Sequence, residues 1–336
     1  MKIAVDAMGG DDAPEAIIQG CREAVRTYED IEIFLTGKKE LISPMMDENK
    51  KKVSEKINIV DCRQKITMEE KPAQALRKKK DTSIGRAAEL VKEGKAGSLF
   101  SAGSTGASLS AGILIIGRIS GIIRPAIATL FPSRGKPTLI LDIGANANCE
   151  PEYLLQFAVM GQIYADSLLE RNNPSVGLMN VGEERGKGNK MIEKAFDLLN
   201  SDTRLNNFAG NVEGRDLFTG KYDVVVCDGF VGNVVLKTVE GMGNFMMDLL
   251  KVAFKRSARA KLGGLLAKNS LKKMKSSVDY REYGGAPMLG LKGNVIIGHG
   301  SSDATAVKNG IGVAREAIRQ DIVNIIAEEI NEDGED

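Results

Sequence analysis

Nine short apolar runs recur along the chain, and they constrain its fold more than any other feature. They are Ile3–Val5, Ile31–Leu35, Ile57–Val60, Ser98–Phe100, Ile127–Phe131, Thr138–Leu141, Val176–Met179, Asp223–Cys227 and Val295–Ile297. Each has strand length. Most are apolar throughout rather than alternating, which suits strands covered on both faces. Helical patterns separate many of them, among them Glu15–Thr27, Arg86–Lys92, Leu154–Glu170 and Asn233–Leu250. Strand and helix in alternation predict an α/β fold: three layers, α/β/α, around a largely parallel sheet. The 336 residues read as one domain, 1–336. Ligands of such folds bind beyond the carboxyl ends of the strands.

Those ends carry polar, glycine-rich turns. The first run leads through Asp6 into Gly9 and Gly10, and Asp11, Asp12 and Pro14 then predict a helix start with a capping residue and proline just inside it. Further turns are Ser101-Ala-Gly-Ser-Thr-Gly-Ala107, Asp142-Ile-Gly-Ala-Asn-Ala-Asn148, Asn180-Val-Gly-Glu-Glu-Arg-Gly-Lys-Gly188, Asp228-Gly-Phe-Val-Gly-Asn233 and Gly298-His-Gly-Ser-Ser-Asp303. A glycine turn after a strand aims backbone N–H groups at an anion, and the serine and threonine hydroxyls can add to them. Any one such turn has a purely structural explanation. Their repetition points to phosphate chemistry. None fits G-x-x-x-x-G-K-S/T, G-x-G-x-x-G or G-x-S-x-G, which disfavours a P-loop, a dinucleotide fingerprint and a serine-hydrolase elbow.

The four cysteines, Cys21, Cys62, Cys149 and Cys227, form no C-x-x-C pair, and His299 is the single histidine. A metal site is therefore not expected, and the thiols read as reduced and cytosolic. Aromatics make up 5% of residues and tryptophan is absent, which argues against a base-stacking platform and hence nucleic acid. The apolar stretch 107–131 is broken by Arg118, Arg124 and Pro125 and does not read as a membrane span.

One segment departs from the pattern. Residues 251–275 hold nine basic residues, among them Lys255, Arg256, Arg259, Lys261, Lys272 and Lys273, and no acidic one. The chain's net charge is +1, so the remainder carries −8. With Leu265 and Leu266 the segment reads as a basic amphipathic insertion, which Gly263 and Gly264 are expected to split into two short helices. A solvated helix face, an anionic membrane surface and an acidic protein partner all fit it. The acidic end, 328–336, is expected to fray.

Asp6-Ala-Met-Gly-Gly-Asp11, Ser101–Ala107, Asp142–Asn146, Asn180–Glu184, Asp228–Asn233 and Gly298-His-Gly300 occur in the order in which they resemble the bacterial phosphate acyltransferases of phospholipid synthesis, a likeness running from Met1 to about Ala327. The resemblance implies a fold similar to phosphate acetyltransferases and isocitrate-type dehydrogenases. It implies transfer of a long-chain acyl group from acyl carrier protein to inorganic phosphate, without a cofactor. It also implies a homodimer, cytoplasmic and peripherally attached to the inner face of the cell membrane, that passes acyl phosphate to a membrane-bound glycerol-3-phosphate acyltransferase.

Phosphate is ionised at pH 7 and can attack a thioester directly, so no enzyme nucleophile is required. On that chemistry Gly9, Gly10, Gly103, Ser104, Thr105 and Gly106 are expected to cradle phosphate and Lys187 and Arg185 to neutralise it. Asn146, Asn180 or Asn233 would donate to the oxyanion, and His299 would serve as proton carrier. Each has a bland alternative: a lone histidine is often structural, Lys187 suits a solvated loop, and Glu183 and Glu184 suit the orienting of Arg185 or Lys187. Two other functions remain open at this point. One is a metal- and NAD(P)-dependent hydroxy-acid dehydrogenase of the isocitrate type, with Asp228 and Asp303 on magnesium. The other is a membrane-recruited scaffold that senses phosphate.

Overall fold

The structure, a computed structural model, describes residues 1–46, 55–67, 70–277 and 284–331, with the backbone alone described for 272–277. Eleven strands are described: β1 (Lys2–Asp6), β2 (Glu32–Gly37), β3 (Ile57–Asp61), β4 (Ser98–Ser101), β5 (Ala126–Phe131), β6 (Thr138–Leu141), β7 (Val176–Asn180), β8 (Phe208–Glu213), β9 (Val224–Val226), β10 (Ala286–Leu289) and β11 (Asn294–Ile297). They form one sheet in the order β3-β2-β1-β4-β11-β10-β5-β6-β9-β7-β8. Seven of its ten pairings are parallel, so the sheet is largely parallel, as the sequence implies.

Helices cover both faces, which explains the unbroken apolar runs. In β1, Ile3 and Val5 join one core with α1 (Glu15–Thr27), while Ala4 between them joins the core on the other face. In β9, Val224 and Val226 pack on one side with α2 (Pro151–Leu169), and Val225 packs on the other. Ile3–Val5 and Val224–Val226 are buried at every position, so period-2 alternation is lost. α1 lies against α3 (Ala304–Arg319) at a close approach: a Cβ on Gly20 would stand 2.4 Å from Val307 Cβ.

All nine predicted strands are present. β8 and β10 were not legible. β8 is an edge strand whose Gly210 sits at φ +83°, and β10 is four residues long and contains Pro287. β10 matters because it lies antiparallel to both β11 and β5, and β5 is antiparallel to β6. The parallel set β3-β2-β1-β4-β11 and the parallel set β6-β9-β7-β8 therefore run in opposite directions. Their carboxyl ends lie at opposite edges of the sheet.

Three further expectations are corrected. Pro14 occupies the cap position of α1 itself, with no side-chain cap, and the helix begins at Glu15. The basic segment does not break at Gly263–Gly264. α4 (Gly229–Lys255) runs into it, the chain bends at Arg256 and Ser257, and α5 (Ala258–Ser277) continues through both glycines. Ser257 Oγ accepts from Ala260 N at 3.1 Å, marking the new helix start. A Cβ on Gly264 would lie 2.9 Å from the Phe254 ring, so that glycine lets the two helices close on each other. The acidic end is helical in α6 (Ile322–Asn331), and 332–336 lie outside the described residues.

The α4–α5 hairpin leaves the body. Val231, Val235, Leu236 and Val239 pack on the core. Beyond Val239 the helix has 16 residues to its end at Lys255, a projection of about 24 Å at 1.5 Å per residue. Among the described residues, no helix is long and apolar enough to cross a membrane.

Candidate active site

At the edge where β1, β4 and β11 end, three turns interlock. Asp6 ends β1 with a buried carboxylate that accepts from Met8 N at 3.1 Å and from Ser101 Oγ at 2.9 Å. Ser101 Oγ in turn accepts from Gly103 N at 3.1 Å. Burial raises the Asp6 carboxyl above the ordinary range, against the opposing effect of its hydrogen bonds from Ser83, Ser101 and Met8. The β1 and β4 turns are nearly in contact: a Cβ on Gly9 would sit 2.7 Å from both Asp6 Oδ2 and Gly103 N. The β11 turn closes the group, with Asp11 N donating to Gly300 O at 2.8 Å.

A narrow cleft between these turns is lined by Met8, Gly9, Lys65, Ile66, Gly103 and Ser104, with Asp6 and Ser83 at its floor. Ser104 stands at the cap position of α7 (Thr105–Ala111) without using its side chain as a cap. Lys65 lines this cleft, a placement that the sequence did not reveal. It follows β3 on a stretch with no glycine turn, so spacing carried no signal. His299 lies on the β11 turn, exposed, and its Nδ1 accepts from Ser301 N at 3.2 Å. The same ring nitrogen lies 2.8 Å from Ser301 Oγ, so the turn fixes the orientation of the ring.

The remaining candidates lie at the opposite edge. Asp142 ends β6 with a fully buried carboxylate that accepts from four backbone N–H groups: Ile127 at 3.0 Å, Gly144 at 3.2 Å, Ala145 at 3.1 Å and Asn146 at 2.6 Å. Burial raises this carboxyl too. Asn146 Nδ2 donates to Pro125 O at 2.8 Å and Asp142 Oδ2 at 3.0 Å, so both of its N–H bonds are engaged. This loop seats the foot of α4: Gly229 N donates to Asn146 O at 2.7 Å, and a Cβ on Gly232 would collide with Asp142 O at 1.9 Å. Asn233 is exposed, next to Gly144. Asn180 Nδ2 donates to Lys187 O at 2.9 Å, Lys187 is exposed, and Arg185 pairs with Asp197 at 2.7 Å.

Within one chain, then, the fold brings Gly9, Gly10, Gly103, Ser104 and His299 together, with Thr105 and Gly106 opening α7 beside them. It does not bring Asn146, Asn180, Arg185, Lys187 or Asn233 to that edge. Asp228 and Asp303 cap α4 and α3 through Val231 N at 2.8 Å and Ala306 N at 3.0 Å, and no group of three potential metal ligands gathers among the described residues. Burial pushes the thiols upward, Cys62 and Cys149 each to about 12 and Cys21 and Cys227 also above the ordinary value, the reverse of what a thiolate nucleophile needs.

Comparison with known proteins shows the family. The profile of the "Fatty acid synthesis protein" family matches residues 1–325. A phosphate acyltransferase of Halothermothrix orenii is 52% identical over 336 residues, covering all of both chains. One from Heliobacterium modesticaldum is 49% identical, covering 98% of each. In fold the chain is similar to a phosphotransacetylase from Streptococcus pyogenes (TM-score 0.64, 16% identity, 95% of this chain and 94% of that one). It is also similar to a branched-chain phosphotransacylase from Enterococcus faecalis (TM-score 0.55, 15% identity, 95% and 99%). By the extent of these sequence matches, the chain belongs to the fatty acid synthesis protein family, among its phosphate acyltransferases.

Proposed function

We propose that the enzyme transfers a long-chain acyl group from acyl carrier protein to inorganic phosphate, and that the interlocked turns after β1, β4 and β11 hold the phosphate. The observation that carries this reading is the cleft in which Lys65, the Ser104 hydroxyl and the glycine backbone of two turns converge. Backbone brought this close offers N–H groups without side-chain obstruction, and Lys65 supplies countercharge. A phosphate oxygen attacks the thioester carbonyl carbon, and the negative charge that develops on the carbonyl oxygen faces the opening turn of α7. The C–S bond then breaks with its electron pair on sulfur, and the proton given up by the attacking hydrogen phosphate passes through the His299 ring to the departing thiolate, leaving the ring as it began. The upward-shifted cysteines leave attack by phosphate itself as the economical route.

Two features support the wider role. Met242, Phe245, Leu249 and Val252 recur at a spacing of three and four along α4 and are exposed, a seam suited to a second copy of the chain. At the hairpin tip, Lys255, Arg256, Arg259 and Lys261 stand beside Leu262, Leu265 and Leu266, the last 80% exposed. The less exposed face of α5 instead carries Ala260, Gly264, Ala267 and Leu271, with Gly264 against Phe254 of α4. Leucines left outward among cations suit a peripheral membrane contact at the inner leaflet. The side chains of Lys272 and Lys273 lie outside the described ones. The reaction is tested by incubating the protein with palmitoyl-acyl carrier protein and phosphate and trapping acyl phosphate with hydroxylamine. Hydroxamate that forms equally without phosphate, or not at all, refutes it.

A further inference from the structure

A second concentration of positive charge lies on the body, at the rim of the cleft. Residues 63–80 hold seven basic side chains against Glu69 and Glu70. Lys79 is used internally, with Nζ 2.7 Å from Glu70 and 3.0 Å from Lys65 O. Arg63, Lys65, Lys71, Arg77, Lys78 and Lys80 are exposed, and none forms an ion pair with another described residue. They do not ride on a loose loop. Gln64 bridges to Thr82. Ala75 and Leu76 bury the inner face of α8 (Pro72–Lys78), and a Cβ on Gly106 would touch Pro72 at 3.1 Å. The same segment supplies Lys65 and Ile66 to the cleft.

We infer that this collar is the docking surface for an acidic acyl-carrying protein, and that it seats the carrier where its thioester enters between the β1 and β4 turns. The inference rests on the proposed reaction. A thioester carried on a flexible arm reaches the phosphate only if its protein sits within the arm's length of the cleft. α8 starts on Gly106 and, with seven residues, is roughly 10 Å long, so its charged end stays close to the reacting groups. The basic tip of the α4–α5 hairpin stands off the body. Exposed cations that pair with no other described residue steer an acidic partner and fix its orientation while allowing fast release, as suits a carrier that must leave after each turnover. The two basic regions thereby divide the work: the collar takes the donor while the hairpin engages the bilayer.

The test is fluorescence anisotropy of labelled carrier protein, with steady-state kinetics on palmitoyl-acyl carrier protein. The variants are the triple Arg77→Glu/Lys78→Glu/Lys80→Glu and the hairpin triple Arg259→Glu/Lys261→Glu/Lys268→Glu, both of exposed residues. The collar variant should weaken carrier binding and raise the KM for the acyl carrier by about tenfold or more, with the KM for phosphate unmoved. Added salt should bring the wild type toward the variant. The hairpin variant should bind the carrier as the wild type does. Unchanged binding and KM in the collar variant, or a loss confined to the hairpin variant, overturns the docking surface alone. A wild type that makes no phosphate-dependent acyl phosphate overturns the reaction and the docking surface with it.

Discussion

Gly9→Ala isolates the contact on which the phosphate cradle depends. Gly9 is not at positive φ, so the substitution strains no backbone torsion; its whole effect is the added methyl. That Cβ would lie 2.7 Å from Asp6 Oδ2, 2.7 Å from Gly103 N and 2.9 Å from Ser101 Oγ. Ordinary contact is about 3.5 Å, so the β1 and β4 turns must separate by roughly 0.8 Å to clear Gly103 N. Overpacking of this kind costs about 1–3 kcal/mol, within the usual stability of about 5–15 kcal/mol, so the protein should stay folded with a lowered urea midpoint. Catalysis should suffer more, because a displacement near 1 Å can cost about 100-fold. Hydroxamate assays over a phosphate series should show kcat/KM for phosphate down about 10- to 100-fold. Gly241→Ala, at an open position on α4 with nothing within 4 Å of its Cβ, serves as control and should be neutral or stabilise by up to about 1 kcal/mol. A Gly9→Ala enzyme with wild-type phosphate kinetics would refute the cradle.

Other outcomes follow from single groups. Asp142→Ala orphans four backbone donors and the Asn146 side chain and should cost about 3–5 kcal/mol in urea unfolding; a loss under 1 kcal/mol would contradict the network. Burial raises the folded-state pKa of Asp6 above its usual 3.8, so its contribution to stability is full below that value and is lost as pH rises through the folded pKa. The stability of wild type relative to Asp6→Asn should therefore fall from about pH 4 upward, and a flat difference across urea titrations would refute the assignment. Lys255→Gln/Arg256→Gln/Lys261→Gln should lose on the order of 100-fold in binding to anionic vesicles, at roughly 1 kcal/mol per charge; unchanged co-sedimentation rejects the hairpin contact. Phe245→Asp/Leu249→Asp should sediment as a monomer if the α4 seam joins two copies, and a dimer that survives these charges would place the interface elsewhere.

The parts of the fold legible in the sequence were those with two buried faces. Ile3-Ala4-Val5 and Val224-Val225-Val226 announce themselves because each successive side chain enters a core on alternate sides. The glycine turns were legible because backbone approach leaves a residue-type signature, as at Gly9. What stayed hidden depended on pairing between distant segments. Three successive antiparallel pairings, β11 with β10, β10 with β5 and β5 with β6, reverse the second half of the sheet, and that reversal separates Lys187, Asn180 and Asn233 from the Gly9 turn. Motifs spaced evenly along the chain could not show which edge each would occupy. Lys65 was hidden because a lysine after an edge strand reads as solvated surface. The helix break at Ser257 was hidden because Gly263–Gly264 offered a stronger local signal, which packing against Phe254 turned to another use.

Direct attack by phosphate, with no acyl-enzyme, is the central claim, and isotope exchange tests it most directly. Palmitoyl-acyl carrier protein is incubated with the enzyme and excess labelled carrier thiol, first without phosphate and then with it. The account predicts no label in the palmitoylated carrier until phosphate is added, followed by acyl phosphate that hydroxylamine traps. Label exchange in the absence of phosphate would reveal an acyl group parked on the protein and would contradict the account.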